Sequence, residues 1–156
     1  MKYLKFIIFI FTLSSVISCG SDDDICESGE GTPRMKIMFK RDGKIADLAK
    51  IKVDADYGSG VIPIGTFTNV DSVFVPLRVD ESPYTDIYVK TIDTEDSTRV
   101  RINYTTKSIY VSPGCGVKKN YENVNSVLST PNSLKSVEQG QNFIDNEEKT
   151  NLFFNF

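Results

Sequence analysis

At 156 residues, with 40% hydrophobic and 25% charged residues, the chain has the composition of a globular protein rather than a disordered one, and room for one core. A net charge of −3 argues against nucleic acid as a partner, because binding a polyanion needs a basic face that releases counterions. Histidine is absent, which removes the usual general base near neutral pH, every Ser-His or Cys-His nucleophile arrangement and the commonest zinc ligand.

The first eighteen residues, MKYLKFIIFIFTLSSVIS, carry a basic start at Lys2 and Lys5, an apolar stretch from Phe6 to Leu13, and small polar residues after it. That tripartite design predicts a secretory signal over residues 1–18. A transmembrane anchor would need about 20 apolar residues in succession, and here the run breaks at Ser14-Ser15. Val16-Ile17-Ser18-Cys19 resembles a bacterial lipobox, in which the cysteine thiol takes a diacylglycerol and a small preceding residue fits the peptidase. Cys19 is therefore the expected lipid attachment site, and the membrane, through that lipid, the expected first partner. An ordinary secretory cut leaving a free or paired Cys19 is the alternative. Ser21-Asp22-Asp23-Asp24 then looks like the acidic export signal of Bacteroidota lipoproteins; three exposed aspartates that merely keep a tether solvated explain it equally well.

Residues 19–32 read as an acidic, Gly-rich tether, whose single aliphatic residue, Ile25, cannot bury enough surface to order it. With Cys19 consumed, Cys26 and Cys115 form an even pair in an oxidising compartment. A bridge between them would close a long loop, for which chain-entropy estimates are roughly 4 to 5 kcal/mol. Two buried thiols, or a thiol enzyme lacking its histidine, are the other possibilities. A metal site on Asp22, Asp23, Asp24, Cys26 and Glu27 is disfavoured, because successive carboxylates on a flexible tether diverge.

Residues 33–156 are expected to form one β-sandwich domain. Met35, Ile37 and Phe39 alternate with Lys36, Met38 and Lys40, and Ile51 and Val53 alternate with Lys50, Lys52 and Asp54. Val73, Val75, Leu77 and Val79 share one face with Pro76 on the other, which suggests an edge position or a bulge. Ile87 and Val89 follow; Val100, Ile102 and Tyr104 then oppose Arg99, Arg101 and Asn103, and Ile109 and Val111 lead into the turn Ser112-Pro113-Gly114-Cys115-Gly116. From Val117 to Gln139 the pattern fits either a turn of helix or an irregular strand. Leu152, Phe154 and Phe156 share a final face, which predicts a last strand docked in a sheet. Turn signals between these runs, Asp42-Gly43 and Glu81-Ser82-Pro83 among them, recur at the spacing of short antiparallel strands. The expected class is all-β: an antiparallel β-sandwich, immunoglobulin-like.

Three further stretches invite functional readings. Asp54-Ala55-Asp56-Tyr57-Gly58-Ser59-Gly60 has a faint likeness to a calcium loop, without the third acid or the closing glutamate. Asp93, Glu95 and Asp96 could flank a carboxylate-based hydrolase site, although adjacent acids in a loop are mostly solvated surface. Lys107, Lys118 and Lys119 with Tyr104, Tyr110 and Tyr121 could make a basic aromatic face for an anionic glycan; the plainer reading is lysine and tyrosine covering sheet edges.

Taken together, the lipobox, Asp24-Ile25-Cys26-Glu27, Thr32-Pro33-Arg34, Asn69-Val70-Asp71-Ser72 and Val111-Ser112-Pro113-Gly114-Cys115-Gly116 resemble a family of uncharacterised short lipoproteins from Bacteroidota. The resemblance implies a small all-β domain with two recurring cysteines and supports the Cys26–Cys115 pairing. It carries no activity. The expectation is an outer-membrane, surface-exposed lipoprotein acting as a non-catalytic binding or structural module, with no cofactor, no catalytic residue, no metal, and a protein or glycan as its further partner. The rivals are a periplasm-facing accessory subunit of an envelope complex and a glycan hydrolase using paired carboxylates.

Overall fold

The computed structural model describes residues 31–156. Ten strands follow one another with no helix among the described residues: β1 (Met35–Arg41), β2 (Lys44–Ile45), β3 (Ile51–Asp56), β4 (Val61–Phe67), β5 (Ser72–Val75), β6 (Tyr84–Lys90), β7 (Thr98–Ser112), β8 (Gly116–Ser129), β9 (Ser136–Gln139) and β10 (Leu152–Asn155). They form two five-stranded sheets. One has the order β2-β1-β10-β9, with β5 also paired to β1; the other runs β4-β3-β6-β7-β8.

The alternation anticipated from sequence is what fills the space between the sheets. Met35, Ile37 and Phe39 of β1, Val73 and Val75 of β5, and Leu152 and Phe154 of β10 are buried from one side. Ile51 and Val53 of β3, Ile87 and Val89 of β6, and Val100, Ile102 and Tyr104 of β7 are buried from the other, all within one apolar cluster. The class is therefore an all-β sandwich with mostly antiparallel pairing. Its local turns follow sequence: Asp42 and Gly43 both have positive φ, 52° and 75°, as the two-residue turn joining β1 to β2 requires.

Several details depart from expectation. The outermost strands in the sequence, β1 and β10, are parallel neighbours, with Ile37 opposite Leu152 and Phe39 opposite Phe154. Parallel partners need a long connection, and here nearly the whole chain provides it. The immunoglobulin order, in which strands one, two, five and four face strands three, six and seven, is not reproduced by the sheets β2-β1-β10-β9 and β4-β3-β6-β7-β8. Val79 does not continue the face of Val73, Val75 and Leu77: β5 ends at Val75, the chain leaves the sheet at Pro76, and Val79 is 55% exposed. The stretch after Val117 is strand, resolving that ambiguity against helix.

β7 and β8 are the longest strands, and only part of each serves the core. β7 alternates between buried and half-buried as far as Tyr104 and then loses that rhythm. The change coincides with a break in register between Asn103 and Thr105, opposite Asn123, which takes φ 56°. Such a bulge bends a ribbon and strengthens its twist, and asparagine accepts the left-handed conformation more readily than most residues. Beyond it, Thr105–Ser112 pairs with Gly116–Glu122 as a two-stranded arm about 25 Å long, at ~3.3 Å per residue, with Cys115 in its turn.

Candidate functional site

The base of this arm gathers the features that sequence alone had scattered. Tyr104 and Tyr121 meet edge to face at 5.0 Å between ring centroids. The Tyr121 hydroxyl donates to the carbonyl oxygen of Arg78 at 3.2 Å, and the Tyr57 hydroxyl donates to that of Pro76 at 3.0 Å. Tyr104 shares a 2.7 Å hydrogen bond with Thr85, whose Oγ1 also accepts from the Arg78 N–H. Three phenols thus clamp the crossing segment 76–83 onto the root of the arm. Burial pushes the hydroxyls of Tyr57, Tyr104 and Tyr121 upward, so all three stay protonated. Arg78 closes the same corner through a two-point contact with Asp80, at 3.0 and 2.5 Å, and its guanidinium fills the space beside Gly58, where any side chain would strike it.

This arrangement corrects the basic aromatic face. Tyr104 and Tyr121 are 5% and 0% exposed, core residues rather than a platform. Lys119 is ion-paired with Glu81 and also donates to Ser108, and Lys107 pairs with Glu122 at 3.4 Å. Of the three tyrosines only Tyr110, at 66%, is available to solvent.

Around the arm base lie three shallow hollows. The largest of them, about 350 Å³, is lined by Asn120, Tyr121, Glu122, Phe143, Ile144 and Asp145. The others, about 190 and 240 Å³, lie beside the crossing segment, next to Val79 and Asp80 and next to Ser82 and Pro83. All three are open and narrow.

The outer face of the second sheet carries a set that sequence reading missed. On β6, Tyr84, Asp86, Tyr88 and Lys90 alternate with the inward Thr85, Ile87 and Val89, and the register sets Asp86 opposite Arg101 of β7. Arg101 grips Asp86 with two hydrogen bonds of 2.8 Å and lies 3.9 Å over the Tyr84 ring. This guanidinium holds the Asp86 carboxyl below the usual carboxylate range, burial opposing it less strongly. Next to it, Asp54 pairs with Lys52 at 3.3 Å through one oxygen while the other is buried without a hydrogen-bond partner. The outward alternation of Tyr84, Asp86 and Tyr88 was visible in sequence; which strand would lie opposite was not.

Among the remaining predicted positions, Asp54 belongs to that sheet face, and the Asp56 carboxylate accepts from the Gly58 N–H, closing a local turn. No group of three or more acids or thiols converges as metal ligands among the described residues. Asp93 is ion-paired with Lys50 at 2.6 Å, which lowers its carboxyl, and the Asp96 carbonyl accepts from Asn132. Cys115 lies half-buried in the arm turn, its N–H donating to Ser112 at 3.1 Å, and it is not free. Cys19, Ser21, Asp22, Asp23, Asp24 and Cys26 lie outside the described residues. The chain enters the described structure against the arm: the Lys119 N–H donates to Thr32 Oγ1 at 3.0 Å.

Comparison with curated proteins returns no match, and comparison with solved structures returns none either. A family model does match, over residues 50–156, which takes in β3 through β10 and therefore the arm, the tyrosine clamp and the outer sheet face. This chain accordingly belongs to a family of unknown function, DUF6452.

Proposed function

We propose that the protein is an outer-membrane lipoprotein of the Bacteroidota type that its leader resembles, displaying its sandwich at the cell surface as a non-catalytic binding or structural module. Cys19 carries the lipid, Asp22 to Asp24 direct export, and Cys26 is bridged to Cys115. The lipoprotein reading rests on Val16-Ile17-Ser18-Cys19, and the observation that supports the bridge is the hydrogen bond from the Lys119 N–H to Thr32 Oγ1. It brings the start of the described chain onto the arm, four strand positions from Cys115, or ~13 Å. Cys26 lies six residues before Thr32, a reach of at most ~20 Å when extended, so the bridge needs no rearrangement of the sandwich. Asp80, Asp86, Asp93 and Glu147 are all shifted toward the ionised form by cationic partners, which makes these four poorly suited as general acids. A general acid needs the opposite shift.

The test is intact mass of the protein extracted from its own membrane, combined with protease treatment of whole cells. The expected result is a chain starting at a diacylated Cys19, two hydrogens lighter than the dithiol, and cleaved on intact cells. An unmodified Cys19 ends the lipoprotein reading, and free thiols at Cys26 and Cys115 end the bridge. Protection until the outer membrane is opened would transfer the module to the periplasmic face.

A further inference from the structure

The far end of the arm presents an exposed apolar pair. Tyr110 and Val117 are register partners across β7 and β8, so their side chains leave the ribbon on the same face, and they are 66% and 57% exposed. A branched aliphatic beside an aromatic at the tip of a projecting ribbon contributes nothing to the sandwich core, which ends at Tyr104, Tyr121 and Val124. The length of chain outside the described structure narrows what covers it. With Cys26 bridged to Cys115, seven residues separate the lipid-bearing Cys19 from the arm turn, a reach of at most ~25 Å when extended, and the described chain starts against Lys119, within ~13 Å of that turn. The bridge thus ties the end of the arm to the lipid.

We propose that the arm tip docks on the membrane that holds the lipid, with Tyr110 and Val117 seated in its headgroup layer; this rests on the lipid at Cys19 and on the Cys26–Cys115 bridge. Tyrosine suits that layer because its ring is apolar while its hydroxyl stays wet. A second contact beside the acyl chains would orient the molecule: the arm points at the bilayer, and the β6–β7 turn, which carries the 52% exposed Ile92, points away. β7 alone spans about 46 Å from Thr98 to Ser112 at ~3.3 Å per residue, so these two ends are far apart.

The chain contains no tryptophan, so Tyr110→Trp introduces its sole indole, and Ile92→Trp does the same at the opposite end. Each full-length lipidated variant is reconstituted into phosphatidylcholine vesicles, with and without bromine in the upper acyl chain, and read by flotation, intact mass and emission. Val117→Trp serves as a second probe of the same face should Tyr110→Trp fold poorly. Flotation of both proteins, with a blue-shifted emission quenched by brominated lipid at position 110 and not at 92, is the expected result. Flotation with a lipidated Cys19 but equal quenching, or none, at the two positions overturns the docking and leaves the anchor reading intact. A blue shift at position 110 that grows with protein concentration in the absence of vesicles assigns the face to a second copy and also overturns it. Failure to float, with an unmodified Cys19, removes the anchor and the docking together.

Discussion

Replacing Phe154 with alanine should cost several times what the same change costs at Phe153, although the two are adjacent in a four-residue strand. Phe154 is fully buried in β10, a strand hydrogen-bonded to β1 on one side and β9 on the other, and it lies opposite Phe39. Truncation there removes a whole aromatic side chain from the centre of the core and leaves a cavity that two paired strands cannot collapse to fill. Such substitutions cost about 3–5 kcal/mol. Phe153 faces outward, half-buried, with the Lys40 ammonium 4.1 Å from its ring centroid. Its loss removes partial burial and an exposed cation–π contact, together about 1 kcal/mol. For a domain of this size each kcal/mol moves Tm by roughly 4 °C, so thermal unfolding should show a drop on the order of 10–20 °C for Phe154→Ala and a few degrees for Phe153→Ala. Equal shifts would mean that β10 does not hold its assigned face, and the sandwich register would be wrong.

Three further outcomes are expected. Asp86→Asn should lower stability at pH 7 and flatten the acid limb of the stability curve. The folded Asp86 carboxyl lies below its unfolded value of about 3.9, so its contribution is complete above that pH and lost as pH falls through the folded value. Urea titrations from pH 7 to pH 2 should show variant and parent converging at the acid end, and parallel curves would remove Asp86 as the cause. Gly140→Ala should cost about 1–3 kcal/mol by overpacking, because an added Cβ would strike the Thr150 carbonyl oxygen; an unchanged urea midpoint would show that segment able to yield. Tyr121→Phe deletes the hydroxyl that holds the Arg78 carbonyl, at about 1 kcal/mol, and should speed amide exchange in residues 76–83 more than in β10. Uniform acceleration would point to global destabilisation instead.

Much of the strand pattern was legible because period-2 alternation reports burial directly. The runs at Met35–Phe39, Val100–Tyr104 and Leu152–Phe156 each present their apolar members to the core. The same logic failed where geometry changes without a change in composition. Val79 continues the spacing of Val73 and Val75, yet the chain has already left the sheet. Ile109 and Val111 alternate as core residues do, yet they stand in the arm, outside the core cluster, because the bulge at Asn103–Thr105 has carried the ribbon away from the opposing sheet. Asn151 reads as a surface residue and is buried, satisfied by the backbone of Lys36 and Phe143.

By itself the sequence determined the all-β class, the inward residues of most strands and the positive-φ turn at Asp42-Gly43. These follow from side-chain period and backbone sterics, which act over neighbouring residues. Only the tertiary structure decided that β1 lies parallel to β10, that Asp86 meets Arg101, and that Tyr57, Tyr104 and Tyr121 converge on the segment 76–83. Those contacts join positions far apart in the chain, and which strand lies beside which is set by how the two sheets close a common core. An alternating strand states which face it buries; it does not state its neighbour.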